Sequence, residues 1–283
     1  MSVLSAAVLG VGLWMPGFPD AAAWRRGQRI TGDAAAAPPP RLPPKLRRRT
    51  SLLIRMVAEV AAQAVEQAGV SPQSIPIVIG SAFGELGTTI EMLDEMEANG
   101  VLSPMRFHNS VHNSAAGYLS IAHGNRKSAT SLAAGNETVA MVLLEALALL
   151  ADRGGEVLAI VADESLPEPL VPTIGTGAVS AALVLAATAP GGAAASGRRP
   201  LAIIGDLRQT ADPSPAAART VEVATPSAAI LPVIAAIMSA QAGPDAAPDA
   251  APNAGLAVAT RVELSPASAP PRWSIAVEGA RRS

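Results

Sequence analysis

The chain has 283 residues, with 21 Lys and Arg against 23 Asp and Glu, a formal net charge of −2. Phosphate binding wants a strong basic excess, so this balance argues against nucleic acid as the main partner. There is no cysteine, which excludes a disulfide, a thiolate metal site and a cysteine nucleophile. Hydrophobic residues make up 49% and charged ones 16%, which excludes a disordered tail protein; with 2% aromatics, the core has to close from small aliphatic side chains.

No apolar run reaches the roughly 20 residues of a membrane-spanning helix. The longest, Val139 to Ala151, is shorter and contains Glu145. Val3 to Leu13 is apolar, but no Lys or Arg precedes it and Gly10, Gly12 and Pro16 interrupt it. It reads as a first β-strand rather than a signal peptide, and the expected compartment is the cytoplasm.

In chain order, Val3 to Gly10 reads as a buried strand closed by glycines. Residues 29–44 form a loop rich in Ala and Pro. Leu52 to Ala68 is an amphipathic helix with Leu53, Met56, Val57, Val60, Ala64 and Ala68 as its apolar stripe, and Gly69 stops it. Ile75 to Ile79 is a short strand. A glycine-punctuated turn, Gly80 to Gly87, leads into a helix with Ile90, Leu93 and Met96 on one face, ended by Gly100. Ser114 to Ala122 is helical and Ser128 to Leu132 a short strand. Asn136 to Ala151 is apolar nearly all round, the pattern of a helix inside a layered structure. Val157 to Ala162 and Val179 to Ala187 follow as strands, the second with a central-strand character at Leu183 to Leu185. Helices alternating with strands imply an α/β sheet, mixed but mostly parallel, with helices on both faces.

After Thr188 the composition shifts to Ala, Pro, Gly and Asp. The division is an α/β domain over residues 1–188 and a shorter Ala/Pro-rich extension over 189–283. In the extension, strands are expected at Leu201 to Ile204, Leu256 to Leu264 and Trp273 to Val277, and a helix at Ala228 to Ala240. Residues 242–254 and 265–271 read as low-complexity loops.

Several motifs fall short. Gly10-x-Gly12-x-x-Met15 lacks the third Gly or Ala of a dinucleotide fingerprint, and Pro16 interrupts the helix that should start there. The Gly80 to Gly87 turn lacks the Lys-Ser/Thr of a phosphate loop, and Ser81 is not in a serine-hydrolase elbow. No cofactor is implied. His108 and His112 are four apart without the intervening Glu of a zinc-protease helix; with Asn109, Ser110 and Asn113 they suggest a hydrogen-bonded polar segment rather than a metal site. Arg41, Lys45, Arg47, Arg48 and Arg49 form the sharpest charge cluster, read either as a solvated loop or as a docking patch for an acidic partner.

From Asn109 to Leu150 the chain resembles a β-ketoacyl synthase. The residues are the string Asn109 to Tyr118 (Asn-Ser-Val-His-Asn-Ser-Ala-Ala-Gly-Tyr), the turn at Gly124, the strand Ser128 to Leu132, the small residues Ala133 to Gly135, and the apolar helix. Val3 to Gly17, the Gly80-Ser81 turn and Gly177 to Leu185 resemble the flanking elements, so the likeness covers about residues 1–210. It implies the N-terminal half of a thiolase-like fold. It is similar in particular to the short, chain-length-factor-like ketosynthase subunits of bacterial aryl-polyene-type gene clusters.

In that family a sharp elbow presents the catalytic cysteine at the start of the buried helix. Counted without a gap from Ala116-Gly117, that position falls on Asn136; a gapped register places it at Leu132 or Ala133. All three are inert. The family's two catalytic histidines come from its C-terminal half, whereas the last His here is His123. An amide at the nucleophile position is similar to chain length factors, inactive copies that pair with an active ketosynthase. The resemblance therefore implies a non-catalytic subunit whose partners are an active β-ketoacyl synthase and an acyl carrier protein. In the family the acyl tunnel runs to the dimer interface, so a partner can shape it without doing chemistry. Interface or chain-length candidates on this basis are Ile90, Leu93, Met96, Phe107 and Val111, with Ser128, Thr130 and Leu132 on a strand expected to pair across the dimer axis. Ordinary core is the alternative reading of the helical face at Leu93. The rival functions are a serine acyltransferase or hydrolase, using Ser131 or Ser81 with His112 as base, and a structural homologue without acyl function.

Overall fold

Eight strands form one sheet: β1 (Ser5–Trp14), β2 (Ile77–Gly80), β3 (Ala129–Leu132), β4 (Glu156–Asp163), β5 (Val179–Ala187), β6 (Ala202–Thr210), β7 (Thr260–Glu263) and β8 (Arg272–Gly279). Their spatial order is β3-β2-β4-β5-β1-β6-β8-β7. The computed structural model describes residues 4–32, 37–39, 41–48, 50–165, 170, 177–188, 197–210, 225–242, 259–264 and 272–280. Arg49, residues 243–254 of the loop expected at 242–254, and the loop expected at 265–271 lie outside these residues, as does the start of the strand expected from Leu256; residue 242 itself ends a helix.

The helices are α1 (Ala21–Arg25), α2 (Pro44–Arg47), α3 (Leu52–Ala68), α4 (Leu86–Asn99), α5 (Pro104–Asn109), α6 (Ser114–His123), α7 (Thr138–Arg153) and α8 (Leu231–Ala242). Helices α3 and α6 bury their apolar sides on one face of the sheet, against Ala7, Leu9, Ile79, Ile160 and Val184. Helices α7 and α8, with the 3-10 turn Pro226–Ile230, cover the other face against Val8, Val161, Leu183 and Leu185. The α/β class with helices on both faces therefore holds. The C-terminal strands β6, β8 and β7 extend the same sheet beyond β1, and Ile204, Ile275 and Val277 join the same core as Leu143.

The sheet is mixed, but parallel pairing is its minor part. Only β2–β3 and β2–β4 are parallel; the other five ladders are antiparallel. Parallel neighbours need a crossover, and β2, β3 and β4 are the strands joined through helices α4 to α7.

The first strand does not end at Gly10; it runs on to Trp14. Gly10 and Gly12 are there because α3 lies on them. A Cβ at either position would collide with the backbone carbonyl of Ala64 or Val60. At this distance α3 also supplies partners on the side of β1 that β6 leaves unpaired beyond Val8. Gln67 Oε1 accepts from the Val11 N–H at 2.7 Å, and Gln63 Oε1 accepts from the Leu13 N–H at 3.0 Å.

Helix α3 has the expected ends, with Ser51 Oγ capping the Ile54 N–H at 3.1 Å. Its buried side also holds Glu59, which Arg41 engages at 2.9 Å while reaching Glu66 at 3.0 Å. Arg41 thus leaves the proposed basic docking patch: it neutralises a buried carboxylate, which in turn raises the guanidinium pKa. Helix α7 is less enclosed than its composition suggests. Leu144 is 37% exposed and Ala148 is exposed, while Met141, Glu145 and Leu149 are half-buried, so one stripe of this helix is open.

Candidate functional site

Strand β3 lies at the edge of the sheet and pairs with β2 alone. It delivers the chain into an elbow: Ala133, Ala134, a 3-10 turn at Gly135–Glu137, then α7. Gly135 takes φ +54°, a left-handed conformation that suits glycine. Thr138 Oγ1 accepts from the Ala134 N–H at 3.1 Å and donates to the Gly135 carbonyl at 2.7 Å, which locks the bend. Trp273 of β8 donates from Nε1 to Glu137 Oε2 at 3.1 Å, so the C-terminal strand braces the same turn. At the end of β2, Gly80 has no room for a Cβ, because Val142 and Thr138 methyl groups occupy it. Of the three positions expected to be vacated by the nucleophile, Asn136 and Ala133 are exposed and Leu132 is half-buried. An amide and two hydrocarbons at a rigid elbow offer nothing that can carry an acyl group.

At the C-terminal ends of β2 and β4, the same end of the sheet as the elbow, Ser81 and Asp163 meet. Ser81 is 3% exposed, and its hydroxyl donates to Asp163 Oδ1 at 2.9 Å while accepting from the Gly84 N–H at 2.8 Å. His112 Nε2 lies 2.9 Å from the Ser81 carbonyl oxygen. A carbonyl only accepts, so Nε2 carries the proton and cannot take one from the hydroxyl. His112 and Ser81 come together, but not as base and nucleophile. Ser131, the other serine considered, is half-buried on β3.

The His108 to Ser114 segment is hydrogen-bonded as its composition suggests. Tyr118 Oη donates to Asn109 Oδ1 at 3.0 Å, and Ser114 Oγ donates to the Asn109 carbonyl at 3.0 Å. His108 packs against Tyr118 with ring centroids 6.5 Å apart.

The candidate face of α4 points outward, contrary to the core reading. Met92 is the buried residue of this helix; Ile90 is half-buried, Leu93 is 49% exposed and Met96 41%. Phe107 on α5 is 59% exposed and Val111 43%. Val101, Leu102 and Met105, which sequence reasoning passed over, are exposed beside them; the signal was an apolar residue on each side of Ser103-Pro104. Seven of the eleven large hydrophobic residues exposed among the described residues fall between Leu93 and Val111. Such a concentration on one short helical pair exceeds the singly scattered apolar residues of an ordinary surface. Arg106 ties the pair together, reaching Glu91 at 3.2 Å and Glu95 at 3.3 Å.

The base of α4 holds one buried carboxyl, Glu85, and one half-buried, Glu164. Glu85 accepts from Ser51 Oγ at 2.9 Å and Thr88 Oγ1 at 3.0 Å; burial pushes its pKa up to about 7, and Glu164 adds to the rise. Glu164, also raised by burial, accepts from the backbone N–H groups of Gly87 and Leu53 at the starts of α4 and α3.

Neither a helix long and apolar enough to cross a membrane nor a cluster of His, Asp or Glu able to hold a metal occurs among the described residues.

No curated protein matches this chain. Among solved structures, a chain of the ishigamide ketosynthase/chain length factor superposes with a TM-score of 0.72 at 15% identity, covering 98% of this chain and 100% of that one. A chain of the ketosynthase ApeO in complex with its chain length factor ApeC from Xenorhabdus doucetiae gives 0.66 at 18% identity, covering 96% and 99%. A chain of the AntDE:AntF complex, a type II acyl-carrier protein with its hexaketide-bound ketosynthase, gives 0.59 at 16% identity over 75% and 71%. The likeness establishes a thiolase-like ketosynthase fold. The model of the β-ketoacyl synthase N-terminal domain matches residues 21–242, well over half of the sequence, and the chain belongs to that family.

Proposed function

We propose that this chain is a non-catalytic ketosynthase-like subunit. It docks on an active β-ketoacyl synthase, which an acyl carrier protein supplies, and helps set the length of the acyl or polyene product in the cytoplasm. The observation that carries the reading is the exposed apolar face between Leu93 and Val111, which coincides with the chain-length candidates Leu93, Met96, Phe107 and Val111. The edge position of β3, the open stripe of α7 and the cysteine-free elbow support it. So does the pairing of ketosynthase with chain length factor in two of the structures it resembles. Nothing in the geometry favours the serine-enzyme rival, since the Ser81 proton is directed to Asp163.

The test is co-expression with candidate active β-ketoacyl synthases from the same genome, followed by sizing and assay. A stable one-to-one complex that condenses malonyl and acyl units, with this chain alone inert and free of acyl adducts by intact mass, is the expected result. A monomer unchanged by the ketosynthase removes the reading. An acyl adduct lost on Ser131→Ala would instead establish the serine enzyme.

A further inference from the structure

We propose that the α4–α5 face is selected by charge: it accepts a protein surface with a cationic rim and rejects a second copy of this chain. The inference rests on the reading that this face docks a protein, and it adds which chemistry the partner presents.

Between Leu86 and Val111 there are four carboxylates, Glu91, Asp94, Glu95 and Glu97, and one guanidinium, Arg106. Arg106 is engaged by Glu91 and Glu95. Asp94 and Glu97 are exposed and make no ion pair among the described residues. Helical spacing sets Asp94 one turn beyond Ile90 and Glu97 one turn beyond Leu93. Both free carboxylates therefore border the apolar stripe that a partner has to cover.

A two-fold contact presents the same patch from both subunits. Self-pairing through this face would bring the Asp94 and Glu97 carboxylates of both copies into one closing interface, where like charges are strongly disfavoured. A partner with Lys or Arg around an apolar socket meets the same carboxylates as counter-ions. The exposed apolar side chains supply adhesion, and the two acids decide to what.

A charge-swapped form of the chain itself is the cationic probe. Wild type, D94N/E97Q and D94K/E97K, each checked for unchanged circular dichroism, are sized alone and mixed by sedimentation velocity at low and high salt. Wild type should be monomeric in about 50 mM salt and self-associate more in about 1 M salt, where like charges are screened. D94N/E97Q should self-associate at least about tenfold more tightly than wild type, and adding F107E should reverse this. Wild type mixed with D94K/E97K should form a heterodimer that weakens with salt, the opposite slope. If D94N/E97Q stays as monomeric as wild type and the mixture forms no heterodimer, the inference is overturned. A wild-type dimer at low salt that F107E dissolves overturns it as well. A ketosynthase that fails to co-purify removes the docking partner proposed above without altering these sedimentation results, so the two failures are separable.

Discussion

Five donors converge on the Asp163 carboxylate, which is completely buried. Ser81 Oγ and the Ala82 N–H reach Oδ1 at 2.9 and 2.8 Å; the Ser227 N–H, Ser227 Oγ and Thr225 Oγ1 reach Oδ2 at 2.9, 2.6 and 3.2 Å. The side chain thus pins the turn after β2 to the segment leading into α8. Asp163→Ala would leave the buried Ser227 amide and the half-buried Ala82 amide without acceptors, and we expect a loss of about 3–5 kcal/mol in urea denaturation. A loss under about 1 kcal/mol would mean that water replaces the carboxylate. Glu85 gives a prediction in pH. Its folded pKa of about 7 lies above the ordinary 4.5, so the fold holds the proton more tightly than the open chain does. The associated stability is complete below about pH 4.5 and is lost as pH rises through 7. Glu85→Gln keeps a neutral side chain against the Ser51 and Thr88 hydroxyls. Between pH 5 and 8 wild type should lose up to about 3 kcal/mol relative to this variant. Parallel stability profiles for the two proteins would show that Glu85 ionises freely in the fold.

Among the helices of ten residues or more, α4 is the one held least by the core, with Met92 alone buried. It is fastened at its base by Glu85 and Glu164 and along its side by Arg106, while Leu93 and Met96 face outward. Truncating a core Leu costs about 2–5 kcal/mol, but Leu93 and Phe107 are 49% and 59% exposed. Leu93→Ala and Phe107→Ala should therefore each cost under about 1 kcal/mol in the isolated chain. In the complex with an active ketosynthase, both should lengthen the product and Leu93→Trp should shorten it, read by mass spectrometry of the released chains. Intact complexes with an unchanged product distribution from all three variants would end the ruler role. This element also shows what a sequence can and cannot convey. The 3.6-residue period places Ile90, Leu93 and Met96 on one face, but periodicity does not say whether the face meets the core or a partner. Helix α3, with a long stripe and a cap at each end, was legible to the residue. In β1 the glycines pointed to a strand end, yet their cause is the approach of a helix more than forty residues away in sequence. Asp163 was invisible for the same reason: Ser81 and Ser227 are 82 and 64 positions from it.

At the scale of the whole molecule, the sheet ends in β3, and three exposed features follow one another there along the chain: the edge strand, the elbow at Ala133 and Asn136, and the stripe of α7 at Leu144 and Ala148. Their order along the chain was readable, because a Ser/Thr-rich strand, small residues and an apolar helix follow one another from Ser128 to Leu150. That the strand is an edge was not readable from residue pattern, since sheet order depends on which distant strands pair. The β2 ladder fixes which groups of β3 are free. The carbonyls of Ser128 and Leu132 accept from the Ile77 and Ser81 N–H groups, so strand alternation turns the backbone groups of Ala129 and Ser131 away from β2. An unpaired edge of this kind is a template for another chain. Ser131→Pro deletes the outward N–H while leaving the inward ladder intact, and proline is tolerated on edge strands. The variant should keep the melting temperature of the isolated chain within a few degrees, about 1 kcal/mol for a domain of this size. It should also weaken co-purification with the ketosynthase at least about tenfold, equivalent to 1.4 kcal/mol. Ser131→Ala, which keeps the N–H, should pair like wild type. If Ser131→Pro retains its fold and still pairs like wild type, the edge of β3 is not the seam, and the partner meets the chain through α4 and α5 or the stripe of α7.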